Sequence, residues 1–175
     1  MTTNDKDIIL AMRKNAENGF RLLTTSYMEP LYWHIRRLVV SHDDAQDATQ
    51  ETLIRIFRSF HQYHEDCSLR AWIFRIATNE ALRLIERRRD ETTPIEKVFD
   101  ARAESYIDYN DVEAILLQKA ILSLPPKQQL AFNLRYYNEM DYDEIAVIAQ
   151  TTATSVKASY HVAKEKIIKY INRNT

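Results

Sequence analysis

The near-absence of glycine limits what this chain can fold into more than any other feature of its sequence. Gly19 is the one glycine in 175 residues, and proline occurs only at Pro30, Pro94, Pro125 and Pro126. The tight turns of β-hairpins need residues that tolerate positive φ, and phosphate-binding loops of the Walker and Rossmann types need several glycines. The sequence therefore predicts an all-α protein without such a loop.

Apolar residues recur at three- and four-residue steps in eight segments, the spacing that places side chains on one face of an α-helix. We expect Pro30 to kink or divide the second helix and Pro126 to open the sixth. The predicted helices cover about residues 5–16, 20–38, 44–60, 68–89, 111–124, 126–138, 141–150 and 154–171.

The helical periodicity stops after Arg89 and resumes near Asp111. The stretch between them contains Pro94 and six acidic residues against two basic ones. Such a composition is typical of an extended tether between domains. We expect two small helical domains, 1–92 and 111–175, joined by a flexible acidic linker at 93–110. The acidic side chains have one of two roles: they keep the linker solvated, or they let it imitate the negative charge of a nucleic acid.

Ser68–Arg89 carries two different stripes along one predicted helix. One is apolar and suited to a core: Ile73, Ile76, Ala77, Ala81 and Leu84. The other combines an indole, an amide and three guanidinium groups: Trp72, Arg75, Asn79, Arg83 and Arg87. Guanidinium groups bind phosphates, asparagine pairs with base edges, and aromatic rings stack on bases. The second stripe is either a nucleic-acid surface or an ordinary solvated flank with a core tryptophan.

The third helix also has two faces at helical spacing. Its inward face is apolar, whereas its outward face carries acids, an amide and one aliphatic side chain: Asp47, Gln50, Glu51, Ile54 and, on the same side, Arg58. This combination favours a protein-docking surface, and the alternative is a plain solvated face.

The loop His61–Cys67 between these helices is rich in side chains that both stack and form hydrogen bonds, including His61, Tyr63 and His64. His61, His64 and Cys67 recur at three-residue steps, but a fourth metal ligand is not apparent in the neighbouring sequence. We therefore expect no metal and no cofactor.

The last two predicted helices are typical of a helix-turn-helix motif: a short helix, a brief turn at Thr151 and Thr152, and a longer helix with small polar residues at its start. Small side chains permit close approach to the major groove, and lysines contact phosphates. A pair of packed surface helices is the alternative. The candidate DNA contacts are Thr154, Ser155, Lys157, Ala158, Ser159 and Lys164.

Net charge, cysteine content and the length of apolar runs indicate which partners and which compartment to expect. The formal net charge is −1, although free-standing DNA-binding proteins usually carry a basic excess. Cys67 is the sole cysteine, and no apolar run reaches membrane-spanning length. We expect a soluble cytoplasmic protein, not inserted in a membrane, that needs a partner to hold DNA tightly.

Three motifs, in this order, resemble the compact extracytoplasmic-function (ECF) sigma factors of bacterial RNA polymerase. DAQDATQETLIRIFRSF is similar to the segment that docks on the polymerase clamp helices, and AWIFRIATNEALRLIERRR to the promoter-melting segment. LPPKQQLAFNLRYYNEMDYDEIAVIAQTTATSVKASYHVAKEKI resembles the region that reads the upstream promoter element. The resemblance covers nearly the whole chain.

The resemblance implies a promoter-specificity subunit without catalysis of its own, which binds core RNA polymerase, promoter DNA and an anti-sigma factor. It implies polymerase contacts at Asp47 and Gln50, with Glu51 as their neighbour. It also implies promoter melting around Trp72 and Asn79, base capture by the loop at 61–68, and upstream reading by Thr154, Ser155, Lys157 and Ser159. Gln150 departs from the family, which often has a glycine there, and Ser159 and Val162 replace frequent arginines.

Two other functions would fit parts of the sequence. An autonomous helix-turn-helix regulator would need a dimer surface and a palindromic site. A helical adaptor without a nucleic-acid role would leave the stripe of Trp72, Asn79 and the arginines unexplained. An enzyme fits least, because the sequence contains no nucleophile-and-base pattern, metal signature or phosphate loop.

Overall fold

The computed structural model describes residues 4–89 and 111–175, and these residues contain α-helices, one 3₁₀ turn and no strand. The all-α prediction is confirmed. The chain divides into two compact units, Met1–Thr92 and Thr93–Thr175, which agrees with the predicted two-domain organisation. The predicted linker at 93–110 lies outside the described residues.

The described residues of the first unit form four helices: α1 (Asp5–Lys14), α2 (Ala16–Val39), α3 (His42–Ser59) and α4 (Leu69–Arg89), with a 3₁₀ turn at Phe60–Gln62. The apolar faces of α2, α3 and α4 meet in a core of fully buried side chains, among them Leu23, Leu31, Ile35, Ile56, Ile73 and Phe74. Burial of these faces stabilises the unit, because most of the stability of helices in proteins comes from the packing of an apolar face.

Polar side chains mark where the helices of this unit begin. The Ser41 hydroxyl accepts a hydrogen bond from the backbone N–H of Asp44, and Ser68 accepts one from Ala71 at 3.0 Å. Both are N-cap interactions, and they start α3 and α4 close to where the sequence predicts. α2 begins earlier than predicted, because the Asn15 side chain caps it.

Of the two outcomes expected for Pro30, a kink or a division of the second helix, division is wrong, since α2 continues through Pro30 to Val39. Proline removes one backbone hydrogen bond and clashes with the preceding turn, a penalty of about 3 kcal/mol. Pro30 itself is exposed, whereas Leu31 and Ile35 just beyond it are fully buried. Packing of this apolar face offsets the penalty and keeps the helix unbroken.

Gly19 lies where the backbone of α2 passes close to the backbone of α1. A Cβ atom at this position would lie 2.2 Å from the backbone nitrogen of Met12, far inside van der Waals contact. Only glycine allows the two backbones to come this close. The one glycine of the chain therefore fixes the position of α1.

The second unit contains α5 (Val112–Leu122), α6 (Pro126–Tyr136), α7 (Tyr142–Ala149) and α8 (Ala153–Asn174). α8 is longer than predicted and packs against the other three helices. The buried side chains between them include Ala120, Ile121, Leu124, Phe132, Ala163 and Ile167.

The turn between α7 and α8 has the form that a helix-turn-helix requires. Gln150 ends α7 in the left-handed conformation, with φ 53° and ψ 49°. The Thr152 hydroxyl then caps α8 by accepting a hydrogen bond from the backbone N–H of Ser155 at 3.1 Å. None of the helices in the described residues is long and apolar enough to cross a membrane.

Candidate docking and nucleic-acid surfaces

The outer face of α3 is open over its whole length. Its members predicted from the sequence are all exposed: Asp47, Gln50, Glu51 and Ile54. The Ile54 side chain is 43% exposed. The opposite face, which includes Ala45, Ala48 and Ile56, is buried in the core. α3 therefore presents carboxylates and an apolar group together on one surface.

Sequence reasoning missed Phe57 at the edge of this face. Its side chain is 42% exposed, and its ring meets the edge of Phe20 with the centroids 5.1 Å apart. Phe57 follows Ile54 by three residues, and this spacing is the signal that could have identified it. Together the two side chains form an exposed apolar strip beside the carboxylates.

Further along the unit, Asn79, Arg83 and Arg87 are exposed on one flank of α4, and Arg75 is half-buried. Arg83 donates to the Glu80 carboxylate at 2.9 Å, so its guanidinium is partly engaged. Among the described residues, neither Arg87 nor Arg75 pairs with a carboxylate. The flank therefore combines a free amide with cations, as the sequence predicts.

Trp72 and Tyr63 do not lie on this open flank. They are only 6% and 5% exposed, and they pack with Phe60 in an aromatic cluster whose ring centroids are 5.3–6.2 Å apart. Trp72 shares its helical direction with Asn79, seven residues later, because seven residues make nearly two turns. The 3₁₀ turn and the loop cover the first turn of α4 and leave the later turns open.

The loop itself exposes His61 and His64 and buries Tyr63. The Tyr63 hydroxyl donates a hydrogen bond to the backbone carbonyl of Cys67 at 2.8 Å, which closes the loop across its base. Burial, helped by nearby acidic groups including Cys67 and Glu65, raises the pKa of Tyr63 to about 12. The phenol therefore stays neutral and keeps its donor role.

The spacing of His61, His64 and Cys67 does not produce a metal site in this region. Within residues 4–89 and 111–175, no three histidine, cysteine or acidic side chains converge as ligands. Burial and the neighbouring Asp66 also raise the pKa of the Cys67 thiol, which disfavours the thiolate that binds metals.

Two ion pairs join α3 to α4. Glu80 of α4 is 5% exposed and accepts from Arg55 of α3 at 2.5 Å as well as from Arg83. Asp44, at the start of α3, pairs with Arg88 near the end of α4. Hydrogen bonds between ionised groups are stronger than those between neutral groups. α3 and α4 therefore hold a fixed relation to each other.

In the second unit, the start of α8 presents its small polar residues to solvent. The predicted contacts Thr154, Ser155, Lys157, Ala158 and Lys164 are exposed, and Ser159 is half-buried. Val156, Ala163 and Ile167 lie on the other side in the core. The Lys164 ammonium stands 5.7 Å from the centre of the Tyr160 ring, which orients it.

Sequence comparison places known families over both units. The Sigma-70 region 2 family matches residues 23–91, and the Sigma-70 region 4 family matches residues 114–167. The RNA polymerase sigma-H factor of Pseudomonas aeruginosa is 26% identical over 179 residues, which cover 94% of this chain and 92% of that protein. The ECF RNA polymerase sigma-E factor of Escherichia coli K12 is 25% identical over 93% of the chain and 92% of its own length. The chain belongs to the ECF sigma factors.

Solved structures share the fold of this sigma factor. CnrH, from its complex with the cytosolic domain of CnrY, matches with a TM-score of 0.75 at 16% identity, over 98% of this chain and 99% of its own. The sigma factor RpoE from Bartonella quintana, solved with the anti-sigma factor NepR, gives 0.70 at 20% identity, over 87% and 96% of the two chains. These matches confirm the all-helical architecture.

The two family matches of the sigma factor fall on the surfaces described above. Region 2 contains α3 and α4 with the loop between them, and region 4 contains α6, α7 and most of α8. The resemblance read from the sequence is confirmed, and an autonomous regulator is not favoured. α1 ends at Lys14 and lies before the region 2 match.

Proposed function

We propose that this ECF sigma factor docks on core RNA polymerase through α3, opens promoter DNA with the flank of α4, and reads an upstream element with α8. The observation that carries the proposal is the pair of ion-paired bridges, Glu80 with Arg55 and Asp44 with Arg88. Because they join the docking helix to the flank, docking determines where the flank stands. The protein has no catalysis of its own, and the polymerase makes the RNA.

The proposed polymerase contacts are Asp47, Gln50, Glu51 and Ile54, and we add Phe57. Carboxylates around an exposed apolar strip suit a basic partner surface, since the apolar groups supply affinity and the charges supply orientation. Such a surface stays soluble in the free protein because its carboxylates are fully hydrated.

On the flank, Asn79 is proposed to contact unpaired bases, while Arg75, Arg83 and Arg87 bind phosphates. His61 and His64 on the loop stack on or hydrogen-bond to a base that has left the duplex. Unstacking a base costs a few kcal/mol, so the contacts with the loop must offset that loss of free energy.

For Trp72 and Tyr63, burial supports a different role from the direct contact with DNA that the sequence predicts. Their rings are packed against Phe60 and each other. We propose that they form the rigid base of the loop and reach DNA only through the residues that they support. Preorganisation of this kind reduces the entropy lost on binding.

The upstream element is proposed to be read by Thr154, Ser155, Lys157, Ala158, Ser159 and Lys164 of α8. Short side chains let the start of the helix enter the major groove, and the lysines bind phosphates on its walls. An anti-sigma factor is a further proposed partner, supported by the solved complex of the Bartonella quintana protein with NepR. The proposed site of action is the cytoplasm, with the polymerase.

Transcription with purified components tests the proposal. Core polymerase from the source organism would be incubated with fragmented genomic DNA, with and without this protein, and the transcripts sequenced. We expect discrete new start sites only when the protein is present. If no start site depends on the protein, the proposed function is wrong.

The charge-reversal variant Glu51→Lys should remove these transcripts, because it weakens docking. Glu29→Lys is the matched control: Glu29 is also exposed but belongs to α2 and not to α3. Equal loss with both variants would contradict the assignment of α3 as the docking helix.

A further inference from the structure

α1 contacts the loop His61–Cys67 through one ion pair. The Arg13 guanidinium lies 2.6 Å from the Glu65 carboxylate, and both side chains are about half exposed. Arg13 belongs to the last turn of α1, and Glu65 occupies the middle of the loop. The pair therefore joins the first helix to the segment proposed to capture a base.

Glu65 occupies a backbone conformation that its residue type disfavours. Its φ is 60°, in the left-handed region that glycine and asparagine enter far more readily. Such a conformation persists only where neighbouring contacts impose it, and it is a common feature of functional sites. The contact with Arg13 is one of those that hold it.

α1 is also well placed to resist movement of the loop. Ile8, Ile9 and Met12 anchor it in the core, and Asp5 at its start accepts a hydrogen bond from Tyr27 of α2 at 2.6 Å. The Asp5 carboxylate is also among the groups that raise the pKa of Tyr63 in the loop. The helix that supports the loop is itself fixed at both ends.

We propose that Arg13 is a positioning residue: it fixes the loop through Glu65, so that His61 and His64 present a constant shape to the captured base. The proposal rests on the proposed function of the loop. It gives α1, which precedes the region 2 match, a part in choosing the promoter base. Arg13 itself does not contact DNA in this arrangement.

Base discrimination is the quantity that this role predicts. A promoter found in the genomic transcription experiment would be prepared with each of the four bases at every position of its downstream element. The ratio of initiation rates between the best and worst base at the most selective position is then measured for each variant. Thermal unfolding followed by tryptophan fluorescence and affinity for core polymerase are measured in parallel.

Arg13→Glu and Glu65→Arg should each lower the discrimination ratio by about two- to fivefold, the range expected for loss of a half-exposed ion pair. The double variant with both changes re-forms the pair in reverse and should restore the ratio to near the wild-type value. Affinity for core polymerase should not change, because the docking face is elsewhere.

Lys14→Glu is the matched control. It makes the same charge change at the next position of α1, where the side chain is exposed and makes no contact with the loop among those described. The discrimination ratio of the Lys14→Glu variant should equal that of the wild type. A loss as large as that of Arg13→Glu would show a general charge effect and overturn the proposal.

Glu65→Gly keeps the test decisive if a charge reversal fails to fold. Glycine adopts the left-handed conformation freely, so unfolding temperature should hold while discrimination falls. Unchanged ratios in the folded single variants, or no recovery in the double variant, would overturn the proposal. Absence of any start site with the wild-type protein would instead contradict the proposed function.

Discussion

Gln150 is a residue whose side chain works against the turn that it occupies. Its left-handed conformation is usually given to glycine at the end of a helix. We expect Gln150→Gly to raise the free energy of unfolding of the second unit by about 0.5–1 kcal/mol, because strain at the Cβ atom is removed. Denaturant unfolding followed by circular dichroism measures the change.

Gln150→Ala is the control for that prediction. Alanine also removes the amide but keeps the Cβ atom, so it should give no gain. If alanine stabilises as much as glycine does, the side chain and not the backbone conformation is responsible.

His34 is buried without charge between α2 and α4. Thr78 donates its own hydroxyl proton to the Phe74 carbonyl, so the His34 Nε2 must carry the hydrogen in its 2.8 Å contact with the Thr78 oxygen. Burial, with a smaller effect from Arg37, lowers the pKa of His34 from 6.5 to about 3. Protonation therefore favours the unfolded chain.

The sign of the pH dependence follows from this order of pKa values. Above pH 6.5 the histidine is neutral in both states and its packing contributes in full; as the pH falls from 6.5 to 3 only the unfolded chain takes up the proton. The free energy of unfolding should fall by up to about 1.4 kcal/mol per pH unit through this group.

The fluorescence of Trp33 and Trp72, the two tryptophans, reports unfolding of the first unit alone. Between pH 7.5 and 5.5 the wild type should lose more stability than His34→Gln, which does not titrate. If the free energy of unfolding falls equally with pH in the two proteins, His34 is not the cause of the pH dependence.

At the scale of single residues, the sequence could predict which side chains are exposed but not which other side chains they contact. Asn79 and Asp47 are open because helical spacing places them opposite an apolar stripe. The burial of Trp72 depends on Tyr63, which arrives from a loop whose path has no periodic signal. The contact between Glu80 and Arg55 joins two helices, and spacing within either helix contains no information about it.

Among the elements, α1 owes its close packing against α2 to Gly19. Gly19→Ala would place a Cβ atom against the Met12 backbone, which cannot yield as a flexible side chain would. We expect a loss of about 1–3 kcal/mol or more in the free energy of unfolding of the first unit, as in other overpacked sites. Tryptophan-monitored urea unfolding measures it.

Glu17→Ala on the exposed side of the same turn is the control and should change stability by less than about 0.5 kcal/mol. A Gly19→Ala protein as stable as the wild type would mean that α1 shifts away from α2 without penalty. The contact between Arg13 and Glu65 would then also be weakly held.

The helices themselves were largely predictable because each combines an apolar stripe with a clear start or stop. Asp111, Ser41 and Ser68 act as N-caps, and Pro126 begins α6, as their residue types suggest. Pro30 was the exception, since its local penalty is smaller than the gain from burying α2. The gain from burying α2 depends on neighbouring residues that are distant in the sequence.

For the molecule as a whole, the near-neutral charge predicts weak binding to DNA without polymerase. Phosphate contacts dominate affinity for DNA, and here cations on α4 and α8 are offset by acids elsewhere, to a net charge of −1. Fluorescence anisotropy with a promoter fragment at physiological salt should give a dissociation constant in the micromolar range or weaker. Nanomolar binding by the free protein would contradict this view.

Division into two helical units followed from the stretch where apolar periodicity stops, and the family resemblance followed from motifs that lie within helices. What the sequence could not provide was the relation between α3 and α4, since two ion pairs and a shared core set it. Under the proposed function, that relation lets docking through α3 direct the opening of DNA by α4.

Permanganate reactivity of thymines near a start site tests the central claim most directly, because it detects unpaired bases. With a promoter from the genomic experiment, reactive thymines should appear when core polymerase and this protein are both present, and with neither alone. Asn79→Ala should reduce the signal while leaving polymerase binding intact. Full reactivity with core polymerase alone, or with the free protein alone, would contradict the claim that this chain opens promoters as a subunit of the polymerase.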